Sequence, residues 1–157
     1  MNLRSALPLL LVLLLGLTVA CQRKAAKTTA DMSAAAAREQ LAGEAWTLSN
    51  LNGAPVAVDA GRQPPSLTFA ANGRVTGFTG CNPLSGDYVL EDGLRLRLED
   101  VAVGLSACAT SATEKAFLEV VNTTDNFTIS DGVLALNVGR RAPLATLTRQ
   151  PAKGRRK

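Results

Sequence analysis

Apolar and polar residues alternate in short runs along most of the chain, and a glycine or an Asn/Asp-Gly step closes nearly every run. Trp46 and Leu48 fall on one face of an extended stretch over 41–51. Asn52-Gly53 turns that stretch, and Ala54–Val58 starts the next strand. A loop over Gly61–Pro65 leads to Ser66–Ala70, where Leu67 and Phe69 alternate with polar neighbours. Asn72-Gly73 is the strongest hairpin cue in the chain, because both residue types tolerate positive φ. Arg74–Thr79 returns, and Thr79–Tyr88, with its glycines, Asn82-Pro83 step and Cys81, is predicted as a tight connection. Extended structure resumes at Asp87–Leu90 and Asp92-Gly93 turns it. Leu94, Leu96 and Leu98 then form the inward face of a half-buried strand that continues over Val101–Leu105 after a bend. Asn126–Ser130, Val133–Asn137 and Leu144–Thr148 are further strands, with turns at Asp131-Gly132 and Gly139-Arg140-Arg141.

The period changes from two to near four at one place. Ala116, Phe117, Val120 and Val121 make a single apolar stripe, and Ser111-Ala112-Thr113-Glu114 before them has the form of a capping box. The pattern is therefore a series of short antiparallel strands interrupted by one helix. It predicts a mostly β fold of the α+β class: a small antiparallel curved sheet or partial barrel with one helix packed on it.

Composition changes the picture at the two ends. Residues 1–20 carry Arg4 and then an apolar block from Ala6 to Ala20, shorter than the roughly 20 residues of a membrane-spanning helix and suited to an export signal. The block ends Leu17-Thr18-Val19-Ala20-Cys21, which resembles the cleavage box of bacterial lipoproteins, with Thr18 where an aliphatic residue is usual. That resemblance implies a diacylglycerol thioether on Cys21 and anchoring in a bilayer. Gln22, in place of Asp, implies release to the outer membrane of a Gram-negative envelope, facing the periplasm. If Cys21 is not lipidated, the same signal implies secretion. Residues 21–40 are rich in Ala, Lys and Thr and are expected to be a flexible tether, within which Ser33–Gln40 has the composition of a short helix. The folded domain is expected over 41–148 and a basic, disordered tail over 149–157.

The formal charge of +4 comes from these ends. Residues 41–148 hold seven Lys or Arg against eleven Asp or Glu. With no basic stripe and few interleaved aromatics, nucleic acid is an unsuitable partner.

Gly43, Trp46, Leu48 and Leu51-Asn52-Gly53, then Gly80-Cys81-Asn82, Gly86 and Tyr88, then Ala107-Cys108 and Glu114 with Phe117-Leu118, resemble the META domain family, in which the HslJ-like bacterial lipoproteins fall. The resemblance spans about residues 41–148, and Gly104 stands where the family often has Thr. It implies a small mixed β domain with a single helix and a link to stress tolerance, with no catalytic mechanism attached.

Candidate chemistry is narrow. Cys81 and Cys108 are suited to a structural disulfide, because export places them where such bonds persist. Two buried thiols and a redox-active pair are the other readings, the last without the Cys-x-x-Cys spacing that lowers a thiol pKa. Asn82 has the position of a turn-former or a ligand contact. Asp59, Asp87, Asp92, Asp100, Asp125 and Asp131 lie at turns without the spacing of a calcium loop. The chain has no histidine, so Ser-His and Cys-His nucleophiles and most zinc sites are excluded. Phe78, Tyr88, Trp46 and Phe117 are expected in the core. No metal or cofactor is expected. The resulting expectation is a non-enzymatic envelope domain held to the membrane through Cys21 and binding an envelope protein or small ligand. The alternative is an enzyme inhibitor or a hydrolase-like activity using acidic loop residues.

Overall fold

A computed structural model describes residues 32–58, 62–108 and 111–150. The export block, Cys21 and most of the tether and tail lie outside the described residues. The elements are α1 (Ala34–Leu41), β1 (Ala45–Leu51), β2 (Ala54–Pro55), β3 (Ser66–Phe69), β4 (Arg74–Phe78), β5 (Pro83–Glu91), β6 (Arg95–Val103), α2 (Ser111–Thr123), β7 (Asn126–Ser130), β8 (Val133–Asn137) and β9 (Ala145–Gln150).

All strand pairings are antiparallel, and the order is β2-β1-β3-β4-β5-β6-β7-β8-β9 with a further pairing of β1 to β9. β1 thus carries β2 and β3 along one edge and β9 along the other, and the sheet curls into a ring. The ring is not a regular barrel. At the β6–β7 seam a single registered pair, Arg95 with Asn126, is flanked by bonds from Leu96 N–H to the Asp125 carbonyl and from Phe127 N–H to the Leu94 carbonyl. α2, which connects β6 to β7, packs along that seam.

The alternation fills the inside. Trp46, Leu67, Phe69, Val75, Leu96, Phe127, Leu134 and Leu147 are fully buried, and α2 adds Phe117, Val120 and Val121 from its apolar stripe. Leu94, Leu96 and Leu98 all point inward as their spacing predicts. Phe78 is only half-buried, because it alternates with the inward positions Val75, Gly77 and Thr79 and so falls on the outer face of the sheet.

Four boundaries differ from the expectation. The short helix suggested by the composition of Ser33–Gln40 forms over Ala34–Leu41, but it is packed on the domain rather than part of a free tether, with Ala37 and Leu41 wholly buried. Ser33 caps it by accepting from Ala36 N–H at 3.3 Å, and Asp92 in the β5–β6 turn accepts from Ala34 N–H at 2.9 Å. Alanine gave no large apolar stripe to read, yet its small side chain lets the helix lie close against the sheet end. The described chain is therefore packed from Met32 onward. At the other terminus Arg149 and Gln150 belong to β9, with the Arg149 guanidinium 5.1 Å from the centre of the Trp46 ring, and only 151–157 fall outside the description. β5 starts at Pro83, so the second half of the expected tight connection is strand. Its inward positions are Leu84, Gly86, Tyr88 and Leu90, and Ser85 and Gly86 disguise the alternation. The strand expected from Ala54 is only two residues long.

The hairpin cues were read correctly in place but not always in form. Asn52-Gly53 and Asp131-Gly132 both take positive φ in both residues (50° and 81°, 52° and 75°). At Asn72-Gly73 only the glycine does, at 88°. The turn closes with Gly73 N–H on the Ala70 carbonyl and the Asn72 side chain accepting from Arg74 N–H.

Candidate functional site

The ends of the ring are unlike. α1 and the β5–β6 turn lie at one end. The other end carries the 79–82 turn, the 104–108 loop and the start of α2, and most of the residues singled out in the sequence meet there.

Thr79 and Asn82 are buried, and Gly80 between them has φ 97°, a conformation open to glycine. The Thr79 N–H bonds the Asn82 carbonyl at 2.8 Å, and the Asn82 N–H bonds Thr79 Oγ1 at 2.8 Å. Thr79 Oγ1 lies within donor reach of both the Asn82 carbonyl (3.0 Å) and Glu114 Oε1 (2.5 Å). A hydroxyl has one proton, and the shorter, charge-assisted contact takes it. Thr79 thus donates to Glu114 and accepts from Asn82.

The Asn82 side chain completes the cluster. Its Nδ2 donates to the Ser106 carbonyl at 2.9 Å and to Glu114 Oε1 at 3.0 Å, and its Oδ1 accepts from Ser106 N–H at 2.8 Å. The amide pairs with Ser106 in both directions, as a neighbouring strand would. It fastens an irregular loop that has no ladder of its own. Beside it Cys81 and Cys108 are joined by a disulfide with Cα atoms 5.8 Å apart, inside the range that bridging requires. Gly104 permits the approach: a Cβ there would stand 2.9 Å from Asn82 Oδ1 and 3.0 Å from Pro83 Cδ. A larger side chain at this position would press on the Asn82 amide.

Glu114 has a second role that the sequence does not show. Its pattern with Ser111 reads as a capping box, and its Oε1 reaches out of α2 to Thr79 and Asn82. Glu114→Ala removes the acceptor of one Asn82 amide proton, while the Thr79 hydroxyl can turn to the Asn82 carbonyl, and is expected to lower stability by about 1–2 kcal/mol; Glu114→Gln keeps an oxygen there and costs less than about 1 kcal/mol. Urea unfolding of the two variants separates the outcomes.

Gly86 and Tyr88 are not part of this cluster. Gly86 lies at the irregularity in the β5–β6 register, where a Cβ would come 2.8 Å from the Glu99 carbonyl. Tyr88 is a core residue: it donates to the Ala70 carbonyl at 2.7 Å and meets Phe69 edge-on with ring centres 5.1 Å apart. The described acids are dispersed. Asp87 pairs with Arg74, Asp92 caps α1, and Asp125 accepts from Gly139 N–H. No group of three His, Cys, Asp or Glu converges among the described residues. On the outer face of β6, the hydrogen bond that Arg97 donates to Glu91 holds its guanidinium above its ordinary pKa.

Outside the fastened loop lies an open groove of about 620 Å³. Val103, Leu105 and Ser106 form one wall, and Lys115, Leu118, Glu119 and Asn122 of α2 form the other. Leu105 is 100 % exposed at its rim. Neither Leu105 nor Thr79 was distinguished in the sequence. A leucine ending an alternating run reads as one more strand residue, and a lone Thr before Gly-Cys carries no signal.

A ring-like antiparallel sheet, seamed by one helix and fastened by a Gly-Cys-Asn turn to a second cysteine, defines a class of small β domains. The META domain family model matches residues 39–151, and the chain belongs to that family. Its fold is similar to an NMR structure of a protein from Burkholderia xenovorans, with 26% identity, 75% of this chain and 89% of that one covered, and a TM-score of 0.59. A second NMR structure matches with 24% identity, 72% and 92% coverage and a TM-score of 0.56. No curated protein matches it.

Proposed function

We propose that this META domain is a lipid-anchored envelope protein that acts by binding rather than by catalysis. The observation that carries the reading is the groove with Leu105 at its rim. A single exposed leucine is ordinary, but this one adjoins Val103 and Leu118 and is held on a loop tied down by Asn82 and the disulfide. The polar groups beneath it, Thr79, Asn82 and Glu114, are occupied with one another, which suits a rigid platform better than a reacting centre. A role in stress tolerance follows only from the family resemblance.

The anchor would enter at the opposite end. Met32 meets Gly93 beside α1, away from the groove. Radiolabelled palmitate is expected in the wild-type chain and not in Cys21→Ala; equal labelling of both contradicts the anchor. Binding is tested by a photoreactive side chain at position 105 of the full chain in its own envelope. A discrete cross-linked adduct is expected there and none from position 97 on the outer face of β6. Absence of any adduct from 105 contradicts the binding reading.

A further inference from the structure

The strand wall of the groove has a second property: among the described residues, its backbone is unpaired on the edge toward α2. In an antiparallel ladder, successive residues turn their N–H and C=O groups to opposite edges. Leu96 N–H points away from β5, to the Asp125 carbonyl at 3.1 Å, whereas Gly104 N–H points toward β5, to the Pro83 carbonyl at 3.0 Å. The parity changes between them, at the register shift opposite Ser85 and Asp87, where Asp100 has φ 51°. Leu98 before the shift, and Val101 and Val103 after it, therefore turn their peptide groups toward α2. On that edge β6 has a registered partner only at Arg95. Among the described residues no backbone bond joins the 98–103 stretch to α2, whose own peptide groups are used within the helix.

An apolar groove between an open strand edge and a helix selects its occupant by main-chain chemistry. We infer that β6 and α2 together form a docking site for an extended segment of a partner polypeptide, which enters as an added strand along Val101–Val103. This rests on the binding reading above and names the class of partner. Main-chain bonds to the edge would supply affinity, and alternate side chains would supply selectivity. One set of side chains would meet Leu105 and Leu118. The charged residues of the lining, Glu114 and Glu119 against Lys115, leave it net acidic and favour basic residues in the other set.

Amide exchange followed by NMR on the full chain in detergent tests this in two stages. In the free protein, Val101 and Val103 are expected to exchange at least tenfold faster than Ala102, which faces β5. If they are as protected as Ala102, the edge is already covered and the inference is overturned, whatever position 105 cross-links. Next, a phage-displayed library of random nine-residue peptides is selected on the protein and an enriched peptide is added. Slowed exchange at Val101 and Val103 is expected. Tenfold weaker binding is expected after N-methylation of the peptide's edge-facing amides, and weaker binding of basic peptides to Glu119→Lys. Failure to enrich any peptide overturns the inference, and so does binding that leaves these two amides unchanged. Protection that grows with protein concentration alone would make a second copy the occupant and overturn it as well.

Discussion

Truncating Trp46 to alanine is expected to lower the unfolding free energy by about 3–5 kcal/mol, the range for a buried aromatic lost from a packed core. Three separate features depend on this side chain. It is fully buried at the start of β1, which pairs with β3 on one edge and β9 on the other. Its Nε1 donates to the Leu41 carbonyl at 3.1 Å, at the end of α1, where no further helical turn can supply a donor. Its ring lies under the Arg149 guanidinium. The loss therefore combines a cavity, an unsatisfied buried carbonyl and a released helix. Trp46→Phe fills much of the space but cannot donate, so it is expected to recover part of the loss. Urea midpoints of the two variants, with the far-ultraviolet signal of α1, measure each contribution.

Removing the disulfide by Cys81→Ala with Cys108→Ala is expected to cost about 3.5 kcal/mol. That figure is the chain-entropy value for closing a loop of this size, the cysteines being 27 positions apart. The loop encloses all of β5 and β6 and the groove wall formed by Val103–Ser106, so its closure limits the freedom of the unfolded chain far more than it adds native contacts. The double variant should keep the same sheet, because the Asn82–Ser106 pairing does not pass through sulfur. A stability unchanged to within about 0.5 kcal/mol would mean that the unfolded chain already holds these segments together.

The strands were legible because their side chains alternate against one core. Asn126–Ser130 and Val133–Asn137 have the same limits in the sequence and in the fold. Where small residues do the packing, the pattern is silent: Ala37 buries a helix without an apolar stripe, and Gly86 occupies an inward position with no side chain to mark it. The cysteine pair and Asn82 were visible as candidates, but what Asn82 does was not. Its partner Ser106 is 24 positions away and Glu114 is 32, and neither contact leaves a local spacing. The role of Glu114 in this cluster was hidden for the same reason, since its contact to Thr79 spans 35 positions and locally it reads only as part of a capping pattern. Leu105 was concealed by alternation, which predicts burial for a residue that the end of β6 leaves outside.

The account depends on the 104–108 loop being held rigidly by a buried side chain although it has no secondary structure. Hydrogen exchange at the single Ser106 amide measures this. Strong protection in the wild-type chain, lost in Asn82→Ala while the amides of β3 and β4 remain protected, is the predicted result. A Ser106 amide exchanging as freely as an unstructured peptide in the wild type would contradict it.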